Sequence, residues 1–334
     1  MVRNVEKCWA WVLLALSVYV NACMAGDECL KGTTSITVGE NQEYGTVQSA
    51  IDSIPAGNKW WVHIYIKKGI YREKVTIPKE KGCIFMEGED ERDTVIAWAD
   101  HGAVTTCSTF TAYSNNIAVK YITFKNTYNF DNPDAELVQA LAASLQGDKY
   151  SFYRCTFIGL QDTIWDAQGR HYFQQCYISG AVDFIWGFGQ SLLDGCAIEV
   201  TLKPLKDAIN RTGTITAQGR QSDKETTGFV FKNCNVYGDR NLLGRAYRPY
   251  SRVIFFNNRL AESVQPIGWD AWDVKGHEWS ITFVEAHNSG PGADTAQRVP
   301  WMKKMSDSDL NWFTSLQFVD QDGWISRLPD GALA

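Results

Sequence analysis

Asp162 and Asp183 lie 21 residues apart, and Cys155 and Cys176 repeat that interval, each cysteine seven residues before its aspartate. Two successive segments therefore match in register: Phe152-Tyr-Arg-Cys155-Thr-Phe-Ile-Gly159-Leu-Gln161-Asp162 and Phe173-Gln-Gln-Cys176-Tyr-Ile-Ser-Gly180-Ala-Val-Asp183. If each segment is one coil of a stacked structure, equivalent residues sit about 4.8 Å apart, the spacing of neighbouring strands. Two carboxylates that close cannot both ionise cheaply, so one pKa rises and an acid stands beside an ionised partner. The pair suits covalent catalysis, in which one aspartate attacks a carbonyl while the other gives a proton to the leaving oxygen and then activates water. A structural ladder of stacked aspartates in turns is the alternative that these two residues alone leave open. Their neighbours favour chemistry. Gln161 directly precedes Asp162 and Gln139 lies about one coil earlier, so two amide donors can converge on a developing oxyanion. Arg245, in Leu243-Gly-Arg245-Ala-Tyr247, offers a guanidinium that keeps a carboxylate ionised and fixed in orientation.

Other catalytic arrangements lack support. The chain has no Gly-x-Ser-x-Gly elbow, no His-Glu-x-x-His, no Cys-x-x-Cys and no phosphate loop, and its five histidines are scattered. What must position the aspartates is a repeat. Leu193-Asp-Gly-Cys196, Phe231-Lys-Asn-Cys234 and Phe255-Phe-Asn-Asn258 continue the pattern, and Ala118-Val-Lys-Tyr-Ile122 precedes it. A period of about 20 to 24 residues, lengthened in places by inserted loops, is the signature of a parallel β-solenoid. The segments are rich in Val, Ile, Phe and Tyr, with Gly, Asn and Asp between them. A solenoid also needs its open edges covered. Thr46 to Ile54 places Val47, Ile51 and Ile54 on one helical face before Pro55, which predicts an N-terminal cap helix. Ser306-Asp-Ser-Asp309 predicts the start of a C-terminal one.

With 45% hydrophobic and 21% charged residues in 334, the composition is that of an ordinary globular protein with no linker dividing it. The start differs. Arg3 and Lys7 precede an apolar run from Cys8 to Val20, too short to span a bilayer comfortably, and small residues follow up to Ala25. Residues 1–25 thus read as a secretory signal peptide and 26–334 as one catalytic domain, secreted and not membrane-bound. Nine cysteines become seven without Cys8 and Cys23, so at least one thiol stays free or pairs between chains. Asn210-Arg-Thr212 is a glycosylation sequon in a polar stretch. A net charge of −6 argues against nucleic acid as partner.

Taken together, these residues resemble the plant pectin methylesterases, enzymes that demethylate homogalacturonan, from about Gly39 to Gln317. The family's Gly-x-Tyr-x-Glu matches Gly69-Ile-Tyr71-Arg-Glu73, and its Gln-Ala-Val-Ala-Leu matches Gln139-Ala-Leu-Ala-Ala143. Its Gly-Tyr-Gln-Asp-Thr-Leu-Tyr is similar to Gly159-Leu-Gln161-Asp162-Thr-Ile-Trp165, and its Gly-Thr-Val-Asp-Phe-Ile-Phe-Gly to Gly180-Ala-Val-Asp183-Phe-Ile-Trp186-Gly187. Its Leu-Gly-Arg-Pro-Trp is similar to Leu243-Gly-Arg245-Ala-Tyr247. The resemblance implies a right-handed parallel β-helix without the inhibitor-like pro-region of some members. It implies Asp183 as nucleophile, Asp162 as general acid/base, Gln139 and Gln161 as oxyanion donors and Arg245 as the residue orienting Asp183. It implies no metal and no organic cofactor. Pectin is the implied partner, a proteinaceous inhibitor a further one, with a monomer acting in the cell wall. On that assignment Arg245 keeps Asp183 ionised, and Asp162 carries the raised pKa.

Departures fall on aromatic positions. Trp165 replaces a usual Tyr, Trp186 a usual Phe, and Ala246-Tyr247 the usual Pro-Trp; such rings stack on sugars, so substrate contact is expected at Trp165, Trp186 and Tyr247. Trp269 and Trp272 are further cleft candidates. Cys196 and Cys234 match a disulfide of related plant enzymes. Cys155 and Cys176 are the competing pair, and buried free thiols the third outcome. Two other functions compete with the esterase: a polygalacturonase-like glycoside hydrolase, which also uses close carboxylates, and a catalytically silent pectin-binding protein.

Overall fold

The computed structural model describes residues 28–333, so the segment read as a signal peptide lies outside the described residues. Short parallel strands stack into three sheets. The first has ten strands, from Leu30–Val38 to Thr282–Ala286; the second has eight, from Gly69–Arg72 to Arg259–Leu260; the third has eight, from Val75–Ile77 to Trp269–Asp270. Each coil gives one strand to each sheet in turn. Tyr150–Tyr153, Thr156–Ile158 and Ile164–Asp166 form one coil, and Arg170–Gln174, Tyr177–Gly180 and Val182–Gly187 the next. The interval read from the sequence is the register of the fold: Phe152 pairs with Phe173, Phe157 with Ile178 and Ile164 with Ile185.

Side chains that repeat at this interval pack on their own kind. Phe152 stacks on Phe173 at 4.9 Å, Phe124 on Phe157 at 5.5 Å and Phe231 on Phe255 at 4.4 Å, all fully or almost fully buried. Each such burial contributes about 1.5–3 kcal/mol, so the core is a set of like-with-like columns along the axis. The bend from first to second sheet is a single residue in the left-handed region: Tyr121, Arg154, Gln175, Gly195, Asn233 and Asn257 have φ between 49° and 66°. The residue after each bend turns inward, which explains the repeated cysteine. Cys155, Cys176, Cys196 and Cys234 donate to the carbonyls of Val119, Phe152, Phe173 and Leu193 on the preceding coil, as Asn258 does to Phe231.

This geometry corrects the expected disulfide. Cys196 and Cys234 are buried free thiols, as are Cys155 and Cys176. Equivalent side chains on stacked coils run parallel about 4.8 Å apart, whereas a disulfide needs Cβ atoms about 3.8 Å apart on converging bonds. The bridge joins Cys29 to Cys83 instead, at the start of the solenoid.

The helix Val47–Ser53 begins at Thr46, whose side chain accepts from Ser49 N, and it buries Val47, Ala50 and Ile51. Its first turn is held by the Glu73 carboxylate, which accepts from Val47 N at 2.8 Å and Gln48 N at 2.9 Å. An anion suits those unpaired amides, so Gly69-Ile-Tyr71-Arg-Glu73 is a structural motif here. The C-terminal helix Asp307–Phe313 is capped by Ser306. Together with Phe318, Val319 and Trp324, its Leu310 covers an outward row of the first sheet, Tyr172, Leu192, Val230, Ile254 and Val284. That cover explains why Phe229-Val230-Phe231 is apolar without alternation.

Candidate active site

Asp162 and Asp183 each stand where the chain passes from the second sheet to the third, and both take left-handed backbone, with φ of 62° and 49°. The tight bend of the chain around Asp183 requires glycine: a Cβ on Gly180 would lie 2.1 Å from the Cβ of Phe184. Gln139 bridges to Gln161 and Gln161 to Val182, and Asp162 N donates to Val182 O at 3.1 Å. The three coils are thereby locked in step, which stacks Asp162 on Asp183 and Gln139 beside Gln161. Among the described residues neither glutamine amide makes a hydrogen bond, and both remain partly open, so their N–H groups are available to a ligand.

Arg245 belongs to a strand two coils further on. It pairs with Ala217, which pairs with Trp186, and the short alanine side chain lets the guanidinium reach back over it. Arg245 Nε donates to Asp183 Oδ1 at 2.8 Å and Nη2 to Oδ2, a bidentate pair. The Trp272 ring backs the guanidinium at 3.7 Å. Among the described residues Asp162 has no such partner. Burial first, and then the charge of Asp183, lift its pKa to about 8 against the pull of Arg245. Burial also lifts Asp183, which is only 6% exposed, while the Arg245 hydrogen bonds and charge oppose the rise. Asp183 therefore stands above an ordinary carboxylate rather than at it. Arg245 distinguishes the two: it hydrogen-bonds Asp183 and opposes the rise there, and it acts on Asp162 by its charge alone.

The aromatic positions divide. Trp165 and Trp186 stack face to face at 5.1 Å, Tyr247 meets Trp186 edge-on at 6.1 Å, and Trp272 stacks on Tyr247 at 5.8 Å, forming one wall beside the aspartates. Phe188, not singled out in the sequence, adjoins Tyr247 at 6.0 Å. Trp269 is a correction. It is fully buried, stacks on Phe283 at 4.4 Å and donates its indole N–H to Glu285, which Arg298 holds in turn. Trp269 pairs with Gly244, in the row that holds Ile164 and Ile185 on the inner face of the third sheet. Strand parity sends it inward and leaves the cleft to Trp272. Asn210 ends an exposed turn, Ala208–Asn210, with its side chain open to modification.

Paired carboxylates on stacked coils, one clamped by an arginine and one protonated, with open amides alongside, define a hydrolase carried on a parallel β-helix. Comparison with known proteins agrees. The pectinesterase family model matches residues 34–322, and the chain belongs to that family. The Arabidopsis thaliana protein described as putative pectinesterase 10 is 48% identical over 300 residues, covering 89% of this chain and 88% of its own. The solved structure of pectin methylesterase from carrot superposes with a TM-score of 0.81 at 27% identity, covering 90% of this chain and 97% of that one. The Aspergillus niger pectin methylesterase gives 0.76 at 25% identity, covering 91% and 99%. The fold is the right-handed parallel β-helix expected from the sequence.

Proposed function

We propose that this pectinesterase hydrolyses the methyl esters of homogalacturonan by covalent catalysis, with Asp183 as nucleophile and Asp162 as acid and then base. The observation that carries the reading is the asymmetry of the pair: Arg245 clamps Asp183 through two hydrogen bonds, and Asp162 is left as an acid of pKa about 8. An Asp183 oxygen attacks the ester carbonyl carbon, and the resulting oxyanion accepts hydrogen bonds from Gln139 and Gln161. The carbonyl re-forms as the C–O bond to the methoxy group breaks. Asp162 gives its proton to that oxygen, methanol leaves, and an acyl anhydride remains on Asp183. Asp162, now ionised, takes a proton from water as the water oxygen attacks the anhydride. Asp183 departs as a carboxylate and the galacturonate carries a free carboxyl group.

The open amides favour an ester over a glycosidic bond, because a glycosidic transition state is cationic. Methanol release from methyl-esterified pectin without new reducing ends is the expected result; new reducing ends with no methanol would favour the glycoside hydrolase, and neither product would favour a silent binding protein. Secretion to the wall is part of the proposal and is supported by the Cys29–Cys83 disulfide, a bond that persists in oxidising compartments. A monomeric state and capture by a proteinaceous inhibitor complete it. Gel filtration with and without such an inhibitor tests both.

A further inference from the structure

Trp279 is 69% exposed, although its backbone is held. It sits in the short turn Glu278–Ser280, where its carbonyl accepts from Lys303 Nζ at 2.8 Å. Ser280 Oγ donates to His277 O at 2.8 Å and to Pro249 O, which ties the turn to the segment 247–250 leaving the aromatic wall. A large ring kept open on a fixed support is preorganised for a ligand, because little freedom remains to be lost on binding. Tyr250 meets it edge-on at 6.4 Å with planes at 90°. Arg248 stands in the chain between Tyr247 of the wall and Tyr250. Its guanidinium lies 4.0 Å over the Tyr247 ring and donates to Tyr247 O and the Tyr247 hydroxyl. Among the described residues it pairs with no carboxylate.

We propose that Trp279, Tyr250 and Arg248 form a remote subsite for the same polyuronate chain whose ester lies at Asp183, a reading that rests on the pectinesterase assignment of the central site. A sugar ring stacks on the open indole face, and a free carboxylate of the chain meets the Arg248 guanidinium. The turn lies close to the cleft along the chain: Tyr247 belongs to the aromatic wall, and Tyr250, which meets Trp279, follows three residues later, at most about 11 Å of chain. A linear polymer on the wall is thus within reach of Trp279 with its further units. The alternation of aromatic face and cation also matches a polymer that alternates sugar faces and carboxylates along its length.

Calorimetric titration with fully de-esterified polygalacturonate, which the enzyme cannot turn over, decides the matter. Trp279→Ala is expected to raise the Kd for the long polymer about three- to tenfold, and Trp279→Tyr to recover part of that loss. Arg248→Gln is expected to weaken binding and to reduce its salt dependence. The ratio of trimer Kd to polymer Kd should fall in Trp279→Ala, because a remote subsite contributes to the long polymer and not to a trimer held at the aspartates. An unchanged polymer Kd in Trp279→Ala overturns the subsite and marks the open indole as a contact for something other than the polysaccharide. The same preparations assayed for methanol release keep the two readings apart: a parent protein that binds but releases no methanol contradicts the esterase, while the titration still decides the subsite.

Discussion

Replacing Arg245 by alanine removes two hydrogen bonds and the positive charge that orders the aspartate pair. Charge-assisted bonds contribute about 1.5–3 kcal/mol each, and stripping one member from a buried ion pair costs about 3–5 kcal/mol while its partner stays charged. Asp183, at 6% exposure, relieves part of that by taking a proton. Its pKa, already raised by burial, loses the Arg245 hydrogen bonds and charge that oppose the rise. That further rise lowers the fraction of molecules whose nucleophile is ionised on the acid side of the profile. kcat/KM for methanol release at pH 6 is therefore expected to fall about 10²- to 10³-fold, with the acid limb of the pH profile displaced upward. Arg245→Lys keeps the charge but not the bidentate geometry and should fall between. Urea unfolding of Arg245→Ala and of Arg245→Ala with Asp183→Asn gives the second readout, because neutralising the stranded carboxylate should restore stability. An acid limb that stays in place, with activity within about tenfold of the parent, would mean that Arg245 does not control the ionisation of Asp183.

Three further outcomes follow from the same geometry. Asp162 has a folded pKa of about 8, above its unfolded value of about 3.9; stability is therefore full below the unfolded value and declines as pH rises through about 8. Asp162→Asn should unfold later in urea than the parent, by on the order of a few kcal/mol at pH 8, while losing most of its turnover of methyl esters; a less stable variant at pH 8 contradicts the pKa. Gln161→Ala should lower kcat about 10²- to 10³-fold with little change in KM, and a loss confined to KM would make it a sugar-binding residue instead. Cys155, Cys176, Cys196 and Cys234 should resist alkylation in the native protein and all react after unfolding without reductant, whereas two that stay unreactive would restore a disulfide among them.

The repeat was legible because like residues recur at the coil interval, and the interval alone stacked Asp162 on Asp183. Side-chain direction was less so. Trp269 and Trp272 look equivalent in Gly268-Trp-Asp-Ala-Trp, and only the pairing of Trp269 with Gly244 reveals which one points inward. The cysteine column marked the inward turn after each bend, but not that parallel side chains keep the thiols from bonding. Cys29 and Cys83 stand outside the repeat, so no periodicity linked them. The reach of Arg245 to Asp183 depends on the small Ala217 lying between, which required the register of three strands to see. Glu73 belonged to a recognised motif, yet its bond to the amides of Val47 and Gln48 makes it a support of the cap helix.

Rapid-quench mass spectrometry with an activated ester separates the roles of the two aspartates. A leaving group that needs no proton lets acylation proceed without Asp162, and Asp162→Asn then slows attack by water. A covalent acyl adduct on Asp183 is expected in Asp162→Asn, and neither adduct nor turnover in Asp183→Asn. An adduct on Asp162, or undiminished turnover in Asp183→Asn, would contradict those roles.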